Sequence, residues 1–584
     1  MLLAVVNTGL HWIDFAVVAL YLIGITTLGV WMTRRISGIQ DYFMPRKFGK
    51  GMMIMHAFGT GTASDQAVTV ASATFRGGLS GIWYQWLWLF VTPFYWLIAP
   101  IFRRFRAITT ADVYELRFNR SVGVLFSIVG MANMCVKIGL MLVGASALIK
   151  SGTGGMIDTQ LAIVGMTLMF VVYGAAGGLG AAIITDYIQG ILTIAFSFML
   201  LPFIFFEVGG MAGVHETITD STKMTLVAPG KITTFFVIMM SIQALVGIVA
   251  QPFIMGVCAA GKTEWEGRVG FVVGNLIKRL CTIAWCLTAI AALAWYIQRG
   301  DPPSGLDAET LKRTADGVYG EVAHTFLPRL APGLLGLFLA ALLAGVMSSC
   351  DSFMISSAGL FTENIYKPAR PGNSERHYVW VGRFASVAIV AGGVAFALWV
   401  PSVIDALEIW FMVAPMMGIV FWIGLLWRGM TVTGAWATTL TGFSVWWVTT
   451  QSWFIGWLGS LPNAESWRLL WQEGDKTVVY MPWQILLYMV AATTAGIVVS
   501  LFTQRVPEEK LNRFYELTRT PVETGEKIAE PCMLPESTSP SQRRMLLTAG
   551  GLEIPMPSVT SVVGFAVAWL CVAILIGGFI WIVS

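Results

Sequence analysis

Long apolar runs constrain this chain more than any other feature. A helix needs about 20 apolar residues to cross the hydrocarbon core of a bilayer, and roughly fourteen stretches approach that length. They cover residues 11–33, 51–75, 80–101, 121–150, 159–178, 183–208, 232–257, 272–297, 332–360, 378–399, 405–427, 432–452, 481–502 and 561–583. Only 12% of the residues carry a formal charge, against about 25% in a soluble chain. Lipid is therefore the solvent for most of the chain. A transmembrane β-barrel would instead show short segments of alternating polarity, so the spanning elements are helices. The expected fold class is an all-α integral membrane protein with about 14 transmembrane helices.

Positive charge gathers in a few loops: Arg34, Arg35, Arg46, Lys47 and Lys50, then Arg103, Arg104, Arg106, Arg117 and Arg120. It gathers again at Lys367, Arg370 and Arg376, and between Arg505 and Arg544. The positive-inside rule places these loops in the cytoplasm of a cell membrane, plasma or inner. An even number of helices then puts both chain ends outside, together with the loop 298–331. That loop carries Arg299, Lys312, Arg313 and Arg329, but charge in long loops weighs less. The formal net charge of +4 is small and excludes a nucleic-acid partner as the theme of the chain. The seven cysteines form no CxxC pair and read as small apolar packing residues. The first segment opens on the polar "NTGLHWID" without a basic leader, which reads as a retained helix.

The expected organisation is a first transmembrane helix with its loop (1–50), then a body in two halves (51–208 and 232–427) joined by an outer loop (209–231). Peripheral helices (428–502), a Pro-, Glu-, Ser- and Thr-rich linker (503–560) with room for one short helix, and a last transmembrane helix (561–584) follow. The halves are suggested by two interrupted helices. The second segment contains "HAFGTGTASDQ", with Gly59 and Gly61 in mid-membrane, and the seventh contains "VGIVAQPFIMG", with Gly247, Pro252 and Gly256. Glycine and proline weaken or break helices. Two interrupted helices in corresponding positions of two halves point to a transporter binding site. Five helices per half would make the repeat inverted. The plainer reading is that glycine and proline are common in membrane helices.

Ionisable groups inside a bilayer are costly and by default mark function. The candidates are Asp65, Lys137, Asp186, Lys278, Arg279, Asp351 and Arg383. Arg383, near a helix end, is expected to snorkel. Lys137, deeper, either pairs with an acid inside the bundle or lines a cavity. The stretch "AGVMSSCDSFMISS" (344–357) is the most informative. Gly345, Ser348, Ser349, Ser352 and Ser356 fall on one helical face about 100° wide, and Asp351 is set off from it by about 60°. Small residues on one face suit close helix packing. Hydroxyls also suit a hard, monovalent cation, and the break at "FGTGTAS" would supply carbonyl partners. Asp186, after the glycines of "VYGAAGGLG", is either a helix N-cap or a cation ligand.

Four stretches resemble those of the sodium/solute symporter family, the group of sodium–glucose, proline, pantothenate and sialic acid carriers. They are "TTADVYELRF" (109–118), "VYGAAGGLGAAIITDYIQG" (172–190), "AAGKTEWEGR" (259–268) and "MSSCDSFMISSAGLFTENIY" (347–366). The resemblance spans about residues 10–430, and the order and spacing of the four make it specific. It implies a five-plus-five inverted-repeat fold and sodium-driven uptake of a small polar solute. It implies a sodium site at the carbonyls of Gly59, Thr62 and Gly345 and the hydroxyls of Ser348 and Ser349. Some members have a second sodium site, which would involve Asp186 and Ser352, with Asp351 nearby. The implied solute pocket comprises Asp65, Gln66, Gln85, Gln251, Phe253 and Lys278, with Ala250 beside them. The sugar-type pocket is half matched: Gln85 stands for a Glu, Ala250 for an Asn, and Met255–Gly256 for Gln-Arg. Lys278 is expected to meet either a solute carboxylate or Asp65.

The sequence thus reads as a sodium-coupled symporter for a sugar, sugar acid or other small metabolite, working by alternating access. A proton-coupled transporter using Asp65, Asp186 or Asp351 is the first alternative, and a transporter-derived sensor is less favoured. An enzyme is not expected: His11, His56, His215, His324 and His377 are scattered, without HExxH or paired spacing.

Overall fold

A computed structural model describes residues 10–33, 42–228, 230–400, 402–473, 476–523, 525–526, 528, 530–536, 538–541 and 543–584. Arg34 and Arg35 of the first positive cluster lie outside the described residues, as do the side chains of 172–177 in the glycine-rich stretch. The fold is helical, with two small hairpins. Among the described residues nine helices are long and apolar enough to cross a membrane, and three further apolar helices are shorter.

Helix α1 (Trp12–Thr33) is followed by α2 (Lys50–Gly59) and α3 (Ser64–Gly77), the two halves of the expected second segment. Between them Gly61 takes φ +82°. The third segment is irregular over Leu79–Leu89 before α4 (Thr92–Arg104). Helix α5 (Thr110–Arg117) starts on a reciprocal cap between Thr109 and Asp112, and α6 (Arg120–Gly152) is capped by Asn119. Such side chains satisfy the orphan N–H groups of a first turn.

The expected fifth and sixth segments are two helices that meet at a kink at Gly178, where φ is 63° and ψ −174°; together they are labelled α7 (Thr159–Met199). A methyl group there would also lie 2.7 Å from the Tyr42 carbonyl, so only glycine fits the bend. The seventh segment is broken as expected, into α8 (Thr234–Ile248) and α9 (Ile254–Ala259). Then come α10 (Glu264–Gln298), α11 (Ala308–Leu330), α12 (Leu334–Gly359), α13 (Glu375–Trp399) and α14 (Val403–Leu426). Helix α12 continues through a π-helical turn, Leu360–Tyr366. The last helices are α15 (Val432–Thr449), α16 (Met481–Phe502), α17 (Glu508–Arg519) and α18 (Val559–Val583).

Helices α2, α3, α6, α7, α10 and α12 pack together at the centre, and nearly all of α12 is buried. The outer helices α13, α16 and α18 keep large apolar side chains exposed, among them Phe384, Leu501 and Leu570. That pattern belongs to a surface solvated by lipid.

The stretch 503–560 is more ordered than a linker. Helix α17 buries Leu511, Phe514, Tyr515 and Leu517. Arg106 pairs with Glu526, and Arg428 reaches Glu553 at 3.2 Å on the hairpin Met545–Ala549/Leu552–Pro555. The loop 298–331 likewise holds a 23-residue helix, α11, whose Asp307 caps its own first turn.

Candidate functional site

The break between α2 and α3 leaves backbone groups without helical partners, and α12 meets them with serines. The Ser349 hydroxyl donates to the Gly59 carbonyl at 2.8 Å and accepts from the Gly61 N–H at 3.0 Å. One side chain therefore bridges both sides of the break. Ser348 donates to Asp186 Oδ1. A methyl group on Gly345 would lie 3.4 Å from the Thr62 carbonyl, so α12 passes directly against the far side of the break. Gly59, Thr62, Gly345, Ser348 and Ser349 are thus brought together, all buried.

Asp186 is not an N-cap. It sits eight residues past the kink at Gly178, two turns inside the second part of α7. Its carboxylate is held by Ser348 on one oxygen and by His56 Nδ1, at 2.6 Å, on the other. Thr60 Oγ1 lies 3.2 Å from both His56 Nδ1 and Ser352 Oγ. Ser352 therefore joins the same network. Asp351 is buried nearby, close enough to Tyr21 and Tyr42 to act on both electrostatically. In the sequence His56 is only one of five scattered histidines; its one signal as a site residue is a place four residues before Thr60, on the turn that enters the break. Among the described residues no three His, Cys, Asp or Glu side chains form a metal cage. A cation at the break would rest mainly on neutral oxygens.

Beside the break lies a cavity of about 40 Å³, room for a few water molecules. Gln66, Gln85, Gln251, Phe253 and Lys278 line it, as expected, and Lys137, Arg279, Trp88, Tyr95 and Trp410 join them. Asp65 sits behind the wall. Its partner is Lys137, at 2.7 Å, and not Lys278. Helix α6 delivers Lys137 because Gly144, two turns on, lets it press onto α3. A methyl group there would come within 2.6 Å of the Asp65 Cα. Lys137 also lies 4.5 Å over the Trp410 ring. Lys278 instead donates to the Thr60 carbonyl at 2.7 Å, at the carbonyl end of α2, where the helix dipole favours a cation. Gln66 donates to the Gly61 carbonyl, and Arg279 to the Gln85 carbonyl. Arg383, outside this cluster, lies half-buried with its guanidinium 5.0 Å over Trp380.

Polar clasps close the bundle at both ends. At one end Asp316 of α11 accepts from the Ser72 hydroxyl at 2.6 Å, and Lys231 bridges Glu408 (2.8 Å) and Glu473 (3.0 Å). Burial raises the Asp316 carboxyl, against the pull of Ser72. Burial also works against the Lys231 charge, yet Glu408, Tyr84 and Glu473 hold its ammonium well above the ordinary lysine value. A cavity of about 1020 Å³ opens at this end, walled by Lys150, Asp316 and Glu321. At the other end Asn364 accepts from Thr109 (2.7 Å) and donates to Asp112 (2.6 Å). There Thr110 donates to the Pro252 carbonyl at 3.3 Å.

The model of the sodium:solute symporter family matches residues 42–442. The chain is 26% identical to the sodium/glucose cotransporter of Vibrio parahaemolyticus, over 74% of this chain and 83% of that one. It is 24% identical to sodium/myo-inositol cotransporter 2 of Mus musculus, over 96% and 89%. A solved Na+-coupled sialic acid symporter, in its substrate-bound outward-open state, has the same fold. It superposes with a TM-score of 0.68 at 18% identity, covering 86% of this chain and all of the other. The motifs of the two breaks, α7 and α12 all fall inside the matched range, and the chain is a multi-pass membrane transporter, not an enzyme, belonging to the sodium:solute symporter family.

Proposed function

We propose that the protein is a sodium-coupled symporter that carries a small polar organic solute across a cell membrane by alternating access. The observation that carries this reading is the meeting of the α2–α3 break with Gly345, Ser348 and Ser349 on α12. Sodium binds there on the carbonyls of Gly59, Thr62 and Gly345 and the two hydroxyls. Turning the Ser349 hydroxyl from the Gly59 carbonyl frees oxygens from both partners for the ion. Because the ligands sit on two elements, the ion ties α12 to the break and biases the bundle toward one of its states.

The solute binds in the adjoining cavity against Gln66, Gln85, Gln251 and Phe253, with Lys278 at one side and Asp65 acting through Lys137. Residues 51–208 and 232–427 form the two inverted five-helix halves, within about 14 transmembrane helices. Both chain ends lie outside, and the Asn364 clasp faces the cytoplasm. A second sodium at Asp186, Ser352 and Asp351 is less favoured, since both Asp186 oxygens are engaged by His56 and Ser348.

The test is sodium-dependent thermal stabilisation and counterflow with sugars, sugar acids, amino acids and carboxylates. Absence of a sodium shift together with absence of counterflow for every solute would sink the reading. Proton coupling on the same fold is the second reading, favoured by the buried His56–Asp186 contact beside the break. Uptake that follows a pH gradient in sodium-free buffer distinguishes it.

A further inference from the structure

We propose that the solute is a small polyhydroxy carboxylate, a sugar acid, whose carboxylate lies against Lys278 and Arg279. The proposal rests on the symporter reading and narrows it to one class of cargo.

The argument begins with charge. The cavity wall carries Lys137, Lys278 and Arg279, and among the described residues that line it there is no aspartate or glutamate. The two nearest acids are already bonded. Asp65 holds Lys137 at 2.7 Å, and Asp186 holds His56 at 2.6 Å and Ser348. The Lys278 ammonium has one hydrogen-bond partner among the described residues, the Thr60 carbonyl. Arg279 donates to the Gln85 carbonyl and keeps a buried Nε without a partner. Buried charge is costly unless it is paired. Sodium arriving at the break adds one more positive charge. A carboxylate on the cargo balances this field, whereas an ammonium group would add to it.

Hydrogen bonding supplies the rest of the class. Gln66, Gln85 and Gln251 each present a buried side-chain oxygen with no partner. For Gln66 the orientation is fixed, because its Nε2 is spent on the Gly61 carbonyl. Amide oxygens accept, so the cargo must donate, and hydroxyl groups do this without adding charge. Phe253 and Phe353, with ring centroids 4.9 Å apart, offer an apolar surface to the C–H faces of a sugar-like skeleton. One carboxylate, several hydroxyls and an apolar face describe a sugar acid.

The experiment uses the purified full-length protein, melted in sodium and in choline buffer with glucose, glucuronate, gluconate, glucuronamide or glucose 6-phosphate. In sodium, glucuronate or gluconate is expected to stabilise at concentrations about tenfold or more below those of glucose and glucuronamide, as a charge-assisted hydrogen bond implies. Lys278→Met is expected to erase the difference, and the ligand series on the unaltered protein stands whether or not that variant folds. Equal or stronger stabilisation by glucose or glucuronamide overturns the proposal. So does preference for the phosphate ester, or a sodium response with none to either acid. A protein that sodium does not stabilise at all defeats instead the symporter reading beneath it.

Discussion

Ser349 and Lys137 show how much single side chains carry here. Ser349 spans the break by two hydrogen bonds, so removing its hydroxyl removes a proposed ion ligand and a backbone tie together. Ser349→Ala is expected to raise the sodium concentration for half-maximal stabilisation about tenfold, while Ser349→Thr keeps the response. An unchanged sodium midpoint in the alanine variant places the ion elsewhere. Lys137 and Asp65 are both buried, and a buried ion left alone is far costlier than a pair. Lys137→Met is expected to cost about 3–5 kcal/mol of stability, read by unfolding in detergent. Adding Asp65→Asn should recover more than half of it; losses that simply add would mean the two side chains do not interact. The sequence singled out both residues and allowed Lys137 a buried acid as partner, but offered Asp65 only as one of two partners for Lys278. The true partner of Asp65 lies 72 residues away on another helix, and spacing carries no information at that range. His56 was missed for the same reason, since Asp186 is 130 residues off. What could be read was local: serines on one face of α12, and glycines beside them in a broken helix.

Helices in this protein are placed by where they are allowed to touch. The two breaks were legible because glycine and proline announce them, and the serine face because helical periodicity is regular. In the tail a short helix was legible but its packing was not, because Leu511, Phe514, Tyr515 and Leu517 are too few to stand out from a polar stretch. They become a packing face only once α17 finds the body of the protein. The two segments of α7 were legible for the same reason as the breaks, since glycine marks the kink at Gly178 where they meet. Close approach matters most for α6. Gly144 sets the distance between α6 and the backbone of α3, and Lys137 rides on the same helix two turns away. Gly144→Ala is therefore expected to do more than overfill a contact, which alone costs about 1–3 kcal/mol. It should push α6 outward and loosen the Lys137–Asp65 pair, so solute affinity falls along with stability. Unfolding and solute-midpoint measurements on one preparation separate the effects. A variant that melts lower but binds solute as before would show that the helix yields elsewhere.

Across the whole molecule, the cavity lies between two clasps, and the proposed alternating access requires that they open in turn. The Asn364 clasp consists of short polar contacts from α12's extension to the cap and first turn of α5, and a third contact ties Thr110 to the Pro252 carbonyl in the second break. Each such bond contributes about 1 kcal/mol, small enough to break in every cycle. Sodium at the proposed site would tie α12 to the α2–α3 junction and should keep this end shut. Cys258, wholly buried on α9 just past the second break, is a native reporter of that end. Its alkylation, followed peptide by peptide by mass spectrometry, is expected to slow about tenfold when sodium replaces choline, the change that a bias of about 1.4 kcal/mol produces. Asn364→Ala, which removes two of the contacts, should speed alkylation in choline by a similar factor. It should leave the sodium midpoint of stabilisation within about threefold, because the ion ligands are untouched. If sodium leaves the Cys258 rate unchanged in both proteins, the ion is bound without steering this clasp, and coupling must act through the Asp316 and Lys231 contacts at the opposite end.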